Sequence, residues 1–461
     1  PPRRSLGPGG AVPQVRRLGG ANEGPGSIVR QRARPPKRGM TLGLFPPEPT
    51  PAASPPRAPR VPDYVVFSTG HGFSSVGTWM QKTGVGWLAW ELTHSPAWVG
   101  AIALSDLFSA LWVAPLAGAV TDRSNPFRLI LLTQVLLIGR ALLLAGLTWS
   151  GQLTIGLLFV WAVLEASVQG FNLPVRMVAI GSLARPDQMA QAIASSSIAV
   201  SLARSVGPAI AGVVMVRGHV AGVFLINALS YLGMIAAVLW LRGPLDRPGL
   251  ASRQEPLLSD VAAGVAYIRS TPRVATIFLL ALGFAVLARP FVELFPAIAG
   301  DVLRGGPETL SLLMTAQGLG ALCGALYMLK PKPADQTVRI TFGAALGIAL
   351  TLVVFSLTTQ LHAVLLAIAV AGVFHVVCNI GMQTMAQTMS EPTMKGRVMS
   401  SYGLIFRAAP AIGATALGAC AAWAPLQWLL GGAAAVFGLV VVSRLPEVRR
   451  VFAVEPASTS S

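Results

Sequence analysis

A small set of ionisable side chains stands inside long apolar stretches of this sequence, where a charge is expensive and marks a site or a pair. Lys82, Asp106, Arg140, Glu165 and Arg204 fall in the first half of the chain, and Arg289, Glu293, His375 and Arg407 in the second. Asp106, Arg140 and Glu165 lie about 9 to 13 residues from the ends of their stretches, which is about 13 to 20 Å deep if the chain is helical. A carboxylate at that depth can hold and release a proton as its surroundings change, because low dielectric opposes its charged form and a nearby cation favours it. The competing account is a fixed pair, Arg140 with Glu165 or with Asp106, that keeps three helices in register. Asp106 is the favoured carrier, since no basic residue lies within two turns of it on its own stretch. Arg204 and Arg407 occupy matching places in an internal repeat, which favours a shared structural job. Arg289 and Glu293 are spaced for a local pair one helical turn apart. Lys82 and Glu91 lie toward the end of the first stretch and are placed to snorkel, and His375 reads as a hydrogen-bonded core residue.

Other chemistries find no residues to carry them. There is no phosphate-binding P-loop, no Ser-His-Asp arrangement and no cluster with metal-ligand spacing, so no ATP coupling, enzymatic reaction, cofactor or metal is expected. Cys323, Cys378 and Cys420 sit singly in apolar segments without CxxC spacing and read as packing residues.

The elements that must position these charges are membrane spans. Of the 461 residues, 53% are apolar and 11% charged, whereas an average soluble chain carries about 25% charged residues. The apolar stretches run to about 18 to 25 residues, the length that crosses a hydrocarbon core about 30 Å thick as a helix. Twelve can be marked out, the first at 64–90, the fourth at 152–174, the seventh at 273–297 and the last at 425–445. A net charge of +17 invites a nucleic-acid reading, but most Lys and Arg fall in the tails and in the connections on the tails' side. That is the positive-inside pattern, and no connection is long enough for a soluble basic domain. Anionic lipid headgroups account for the charge. The expectation is a multi-pass plasma-membrane protein, of a bacterial inner membrane, with both termini cytoplasmic, a lipid bilayer as its surroundings and no nucleic-acid partner.

The organisation follows. Residues 1–63 form a Pro/Arg-rich tail expected to be disordered, with 1–39 either lying upstream of a true start at Met40 or forming a real cytoplasmic tail. Residues 64–242 make a six-helix half, and 243–272 a cytoplasmic linker ending in an amphipathic helix from Leu257 to Ser270. Residues 273–445 make a second six-helix half, and 446–461 a cytoplasmic tail. A repeat supports the division: Arg204-Ser-Val-Gly-Pro208-Ala-Ile in the fifth span matches Arg407-Ala-Ala-Pro410-Ala-Ile in the eleventh.

Between the second and third spans stands Gly118-Ala-Val-Thr-Asp122-Arg123, followed by Arg128. This resembles the signature loop of the major facilitator superfamily, with Asn125 where that family usually has glycine. The resemblance implies a cytoplasmic latch in which Gly118 allows close helix approach and Asp122, Arg123 and Arg128 form ion pairs across helix ends. The second half lacks the Asp-Arg pair, so the latch would be lopsided. Gly207-Pro208-Ala-Ile-Ala-Gly212 resembles the fifth-span motif of the family's antiporters, where the Gly-Pro step allows close packing and a bend; Ala203 stands where that motif has a further glycine. Gln169-Gly170 resembles the end of a fourth-span motif, with Ala166 in place of its arginine and Glu165 alongside. Ser75-Val-Gly-Thr-Trp-Met-Gln, Trp87-Leu-Ala-Trp-Glu-Leu-Thr and the Gly-Arg-Val-Met-Ser run at 396–400 resemble the enterobactin-exporter and macrolide-efflux branch, the transmembrane secretion effectors.

The resemblance implies an all-α polytopic protein of twelve transmembrane helices in two pseudo-symmetric six-helix halves, with substrate near the midplane between them. It implies a monomeric secondary transporter, a proton-coupled exporter of a small amphipathic molecule such as a drug or siderophore. The alternatives are a uniporter or importer of an organic ion, and a non-transporting sensor or assembly protein that kept the fold.

Overall fold

The computed structural model describes residues 62–105, 107, 113, 120, 124–184, 188–241, 266–330, 332–391 and 393–451. All lie in one compact unit, Arg60–Ser461. The expectations for the tail 1–61, for Asp106, Gly118, Asp122 and Arg123, and for 242–265 of the linker fall outside the described residues.

The first half contains α1 (Asp63–Thr93), α2 (Pro96–Ala103), α3 (Pro126–Trp149), α4 (Ile155–Leu183), α5 (Met189–Arg217) and α6 (Val220–Trp240). The second contains α7 (Pro272–Gly283) and its broken continuation, then α8 (Pro307–Met328), α9 (Ala334–Ser356), α10 (Leu361–Thr388), α11 (Lys395–Cys420) and α12 (Leu426–Val451). Among the described residues ten helices are long and apolar enough to cross a membrane. α1 is longer still at 31 residues but carries many Ser, Thr, Gly and Gln side chains, and α2 is described over its first turns only.

The helix starts follow from local chemistry. Asn125 caps α3, its Oδ1 accepting from Phe127 N at 2.8 Å and Arg128 N at 3.2 Å, with Pro126 at the first helical position. The residue that departs from the signature loop therefore has a local task, satisfying donors that the first turn leaves unpaired. Thr154 caps α4 through Leu157 N, and His219 caps α6 through Ala221 N.

Three boundaries differ from the sequence reading. α4 runs two turns past residue 174, and α12 continues through Pro446 to Val451, so the last tail residues begin as helix. The seventh span is not one helix. After α7 come a π turn (Phe284–Ala288), helical turns at Pro290–Glu293 and Phe295–Ala297, and a second π turn (Ile298–Val302). Pro290 and Pro296 explain the break, since each removes a backbone donor and crowds the preceding turn. Of the expected linker helix, residues 266–270 are described and are helical, with Ile268 buried.

Packing repeats with a period of six helices. α1 lies on α5 and α6, α3 on α4 and α6; correspondingly the seventh span lies on α11 and α12, and α9 on α10 and α12. The halves meet through α2 with α11 and α5 with α8, a pair that the same shift exchanges. This is the parallel duplication that the matching proline motifs led one to expect, and Pro208 and Pro410 lie inside α5 and α11. The aromatic core of the second half gathers on the seventh span, where Phe284, Phe291 and Phe295 are fully buried. Leu132, Val135, Leu136 and Leu143 on α3 point outward and exposed, as a lipid-facing surface requires.

Candidate functional site

The halves are joined tightly at one end, where α1 and α11 finish and α2 and α8 begin. α2 crosses α11 backbone to backbone: a Cβ on Gly100 would stand 2.7 Å from the Ala414 carbonyl oxygen, and one on Gly418 would meet Pro96 O. Thr415 Oγ1 donates to Gly100 O at 2.9 Å across this crossing. On the pseudo-symmetric side Gly212 packs on Ser311, whose Oγ donates to Pro208 O at 3.1 Å, and Ser205 Oγ reaches Gly318 O at 3.5 Å. Thr83 Oγ1 lies 3.4 Å from Met314 Sδ. Among the described residues every hydrogen bond between the halves is one of these, so all lie between mid-helix and this one end. Gly207 serves α1 in the same way, with a Cβ there standing 2.7 Å from Trp79 Cβ.

Behind the seal lies a cavity of about 280 Å³ lined by both halves. Of the nine intramembrane ionisable residues marked in the sequence, seven line it: Lys82, Glu165, Arg204, Arg289, Glu293, His375 and Arg407. Arg140 sits behind Glu165, outside the lining, and Asp106 lies outside the described residues. The prolines of the repeat, Pro208 and Pro410, line it too.

On the first-half side Glu165 is held in place. Arg140 Nη1 donates to Glu165 Oε2 at 2.9 Å, and Gln81 Nε2 donates to the same oxygen at 2.5 Å. Arg140 lies over the Trp161 ring, 4.2 Å from its centroid, and Trp161 Nε1 donates to Arg140 O at 3.1 Å. Gln81 Oε1 accepts from Asn227 Nδ2 at 2.7 Å, and Asn227 Nδ2 also donates to the Tyr231 hydroxyl at 3.2 Å. The pair thus ties α3 to α4, and the amides tie α4 to α1 and α6. Glu165 Oε1, Arg140 Nε and Arg140 Nη2 have no partner.

The remaining charges are held differently. Arg204 lies over the Trp79 ring, 4.8 Å from its centroid, and Lys82 Nζ stands 5.5 Å from the same centroid. Lys82 therefore lines the cavity, not the lipid edge expected of it; Glu91 is exposed near the helix end. Arg289 does not pair with Glu293. Its Nη1 donates to Phe406 O at 2.6 Å, because the π turn before it and Pro290 after it disturb the regular spacing a local pair needs. Among the described residues the ion pair Arg140–Glu165 is the one within 4.0 Å, and Arg204, Arg407 and Glu293 have no hydrogen-bond or ion-pair partner. His375 is buried between Phe284 and Phe291, with ring centroids 5.3 and 6.2 Å away, and its Nδ1 lacks the bond expected of a core histidine.

Sequence reasoning missed a second polar cavity, of about 140 Å³, inside the first half. Arg176 Nη1 lies 2.5 Å from His71 Nε2 there, with Gln134, Asn172 and Thr78 around them. Arg176 passed as a loop charge because the fourth span was ended at 174; carrying the helix two turns further would have placed it inside. The three cysteines are free, Cys378 buried and Cys323 exposed. Among the described residues no group of His, Cys, Asp or Glu could hold a metal ion.

Comparison with known proteins agrees with this architecture. Residues 61–459 match the family model described as transmembrane secretion effector. The staphyloferrin A transporter of Staphylococcus aureus (strain NCTC 8325 / PS 47) is 25% identical over 284 residues, covering 61% of this chain and 70% of the relative. The enterobactin exporter EntS of Shigella boydii serotype 4 is 27% identical over 380 residues, covering 80% and 88%. Among solved structures, a bacterial homologue of the iron transporter ferroportin in an inward-facing state superposes with a TM-score of 0.62 at 16% identity, covering 83% of this chain and 98% of that one.

Proposed function

Because this chain belongs to the transmembrane secretion effector family of major facilitator transporters, we propose that it exports a small amphipathic molecule, such as a siderophore or a drug, by alternating access coupled to protons. The chain is a transporter and not an enzyme; direction, coupling and substrate are the proposal. The observation that carries it is the charged cavity between the halves, bridged among the described residues by hydrogen bonds toward one end. With the tails in the cytoplasm, as the basic-residue pattern favours, the sealed end is the outer one and substrate enters the cavity from inside. The siderophore-related names of the two relatives support export of that kind of molecule.

Coupling needs a carboxylate that is not permanently paired. Glu165 is engaged by Arg140 and Gln81 and serves to fix α3, α4 and α1 in register. Glu293 has no such partner among the described residues and faces the cavity from the broken seventh span. Proton uptake and release at Glu293, with Asp106 as the sequence's own candidate, would then accompany the rocking of the halves about the Gly100 and Gly212 crossings.

The test is substrate accumulation in inverted vesicles with a pH gradient, a membrane potential, both or neither. Accumulation driven by the pH gradient and abolished by Glu293→Gln, with downhill exchange retained, is the expected result. If Asp106→Asn alone gives that pattern, Asp106 is the carrier. Accumulation that follows the potential alone establishes uniport of an organic ion, a reading that the cation-rich lining also favours, and ends the proton scheme.

A further inference from the structure

The two arginines of the repeat, Arg204 on α5 and Arg407 on α11, project into the same cavity from opposite halves. Among the described residues neither has a hydrogen-bond or ion-pair partner. That is unusual for arginine within a membrane span, where guanidinium groups pair with carboxylates or backbone carbonyls. A structural arginine looks like Arg140, folded onto Trp161 and closed on Glu165. Arg407 has no such anchorage, and Arg204 rests only on the face of Trp79. Stacking of that kind fixes the plane of a guanidinium while leaving its N–H edge free. Arg289 stands on the same wall with Nη1 engaged at Phe406 O. Against these cations the described lining offers Glu165, already neutralised, and Glu293.

An edge-presented guanidinium binds carboxylate in a bidentate way, with charge-assisted hydrogen bonds. Two of them, one contributed by each half, fit a ligand with two or more acidic groups that bridges the halves. Trp79, Trp161 and Phe406 supply flat apolar surface between. We propose that the cavity selects an organic polycarboxylate with an aromatic or apolar body, and that Arg204 and Arg407 are its specificity-determining residues. This deepens the transport reading and rests on it only for the claim that the cavity is a substrate site.

The test is equilibrium binding to the purified full chain in lipid nanodiscs, by calorimetry and with no gradient present. The probes share one ring: trimesate with three carboxylates, trimesamide with three neutral amides, and the corresponding tris-ammonium compound. Trimesate is expected to bind and the other two to fail. Arg204→Gln and Arg407→Gln should each weaken trimesate by about tenfold to a hundredfold, the loss of one charge-assisted contact. Arg407→Lys should keep more affinity than Arg407→Gln, which separates charge from folding, and all variants should retain their unfolding temperature. The inference is overturned if trimesate does not bind, if the amide or the ammonium compound binds equally well, or if neither glutamine variant weakens binding while remaining folded. Because no gradient is involved, failure here leaves proton-coupled export standing, and failure of export in vesicles leaves the binding result intact.

Discussion

Substituting Gly100 by alanine should move the protein out of the sealed state by a calculable amount. A Cβ at that position lies 2.7 Å from both Ala414 O and Thr415 Cα, where ordinary contact begins at 3.4 Å. The overlap is about 0.7 Å, and both atoms it meets belong to the backbone of α11, so no side-chain rotation relieves it. Forcing an extra methyl into a packed contact costs about 1 to 3 kcal/mol. Under the proposed alternating access the crossing separates when the sealed end opens, so the cost falls on the sealed state alone. At 1.4 kcal/mol per factor of ten, the equilibrium between the two states should shift by about fivefold to 150-fold. Spin labels on Trp98→Cys and Ala422→Cys, exposed positions on either side of the crossing, report it in a background without the native cysteines. The distance distribution between them should gain a longer component in Gly100→Ala. An unchanged distribution in a protein that still folds would refute the seal as a state-specific contact, and with it the rocking of the halves about this crossing.

Removing Glu165 while keeping Arg140 should strand a buried cation and lower stability by about 3 to 5 kcal/mol, with Arg140→Leu/Glu165→Leu recovering part of it; thermal unfolding of the single and double variants measures this. Asp122→Asn should lower transport while leaving insertion and folding intact, as flux and detergent-extracted protein yield will show, because the resemblance of its loop to the family signature implies a latch there. In a cysteine-free background, cysteines near Ser150, Thr359 and Ala424 should react with an impermeant thiol reagent from outside and those near Pro126, Pro248 and Pro331 should not; the reverse pattern would invert the topology.

The spans were legible because their cause is local: an apolar run of sufficient length has one stable form in a bilayer. Their rotation was not. Lys82 looks like an end-of-span lysine when counted along α1, yet the helix runs to Thr93 and turns it into the cavity. Arg204 and Arg407 were matched as repeat partners, but the repeat alone does not say which face of α5 and α11 they occupy. The Arg140–Glu165 pairing could be named as one of two choices, whereas its amide supports Gln81 and Asn227 carry no signal in a one-dimensional pattern. The broken seventh span had a signal in Pro290 and Pro296, which the continuous hydropathy over 273–297 concealed.

The hydroxyls that bridge the halves give the seal a kinetic character. Three of the four donate to a main-chain carbonyl, Thr415 to Gly100 O, Ser311 to Pro208 O and Ser205 to Gly318 O, and the fourth, Thr83, donates to the Met314 thioether. A carbonyl oxygen has a second lone pair for its own helix, so it is not orphaned when the hydroxyl leaves. Thr415 also reaches Ala411 O on its own helix at 2.9 Å, and can fall back on that bond as the halves part. Breaking such contacts exposes no bare charge. An outer gate built this way should open and close with a rate almost indifferent to external salt, unlike one held by ion pairs, whose lifetime shortens as ionic strength rises.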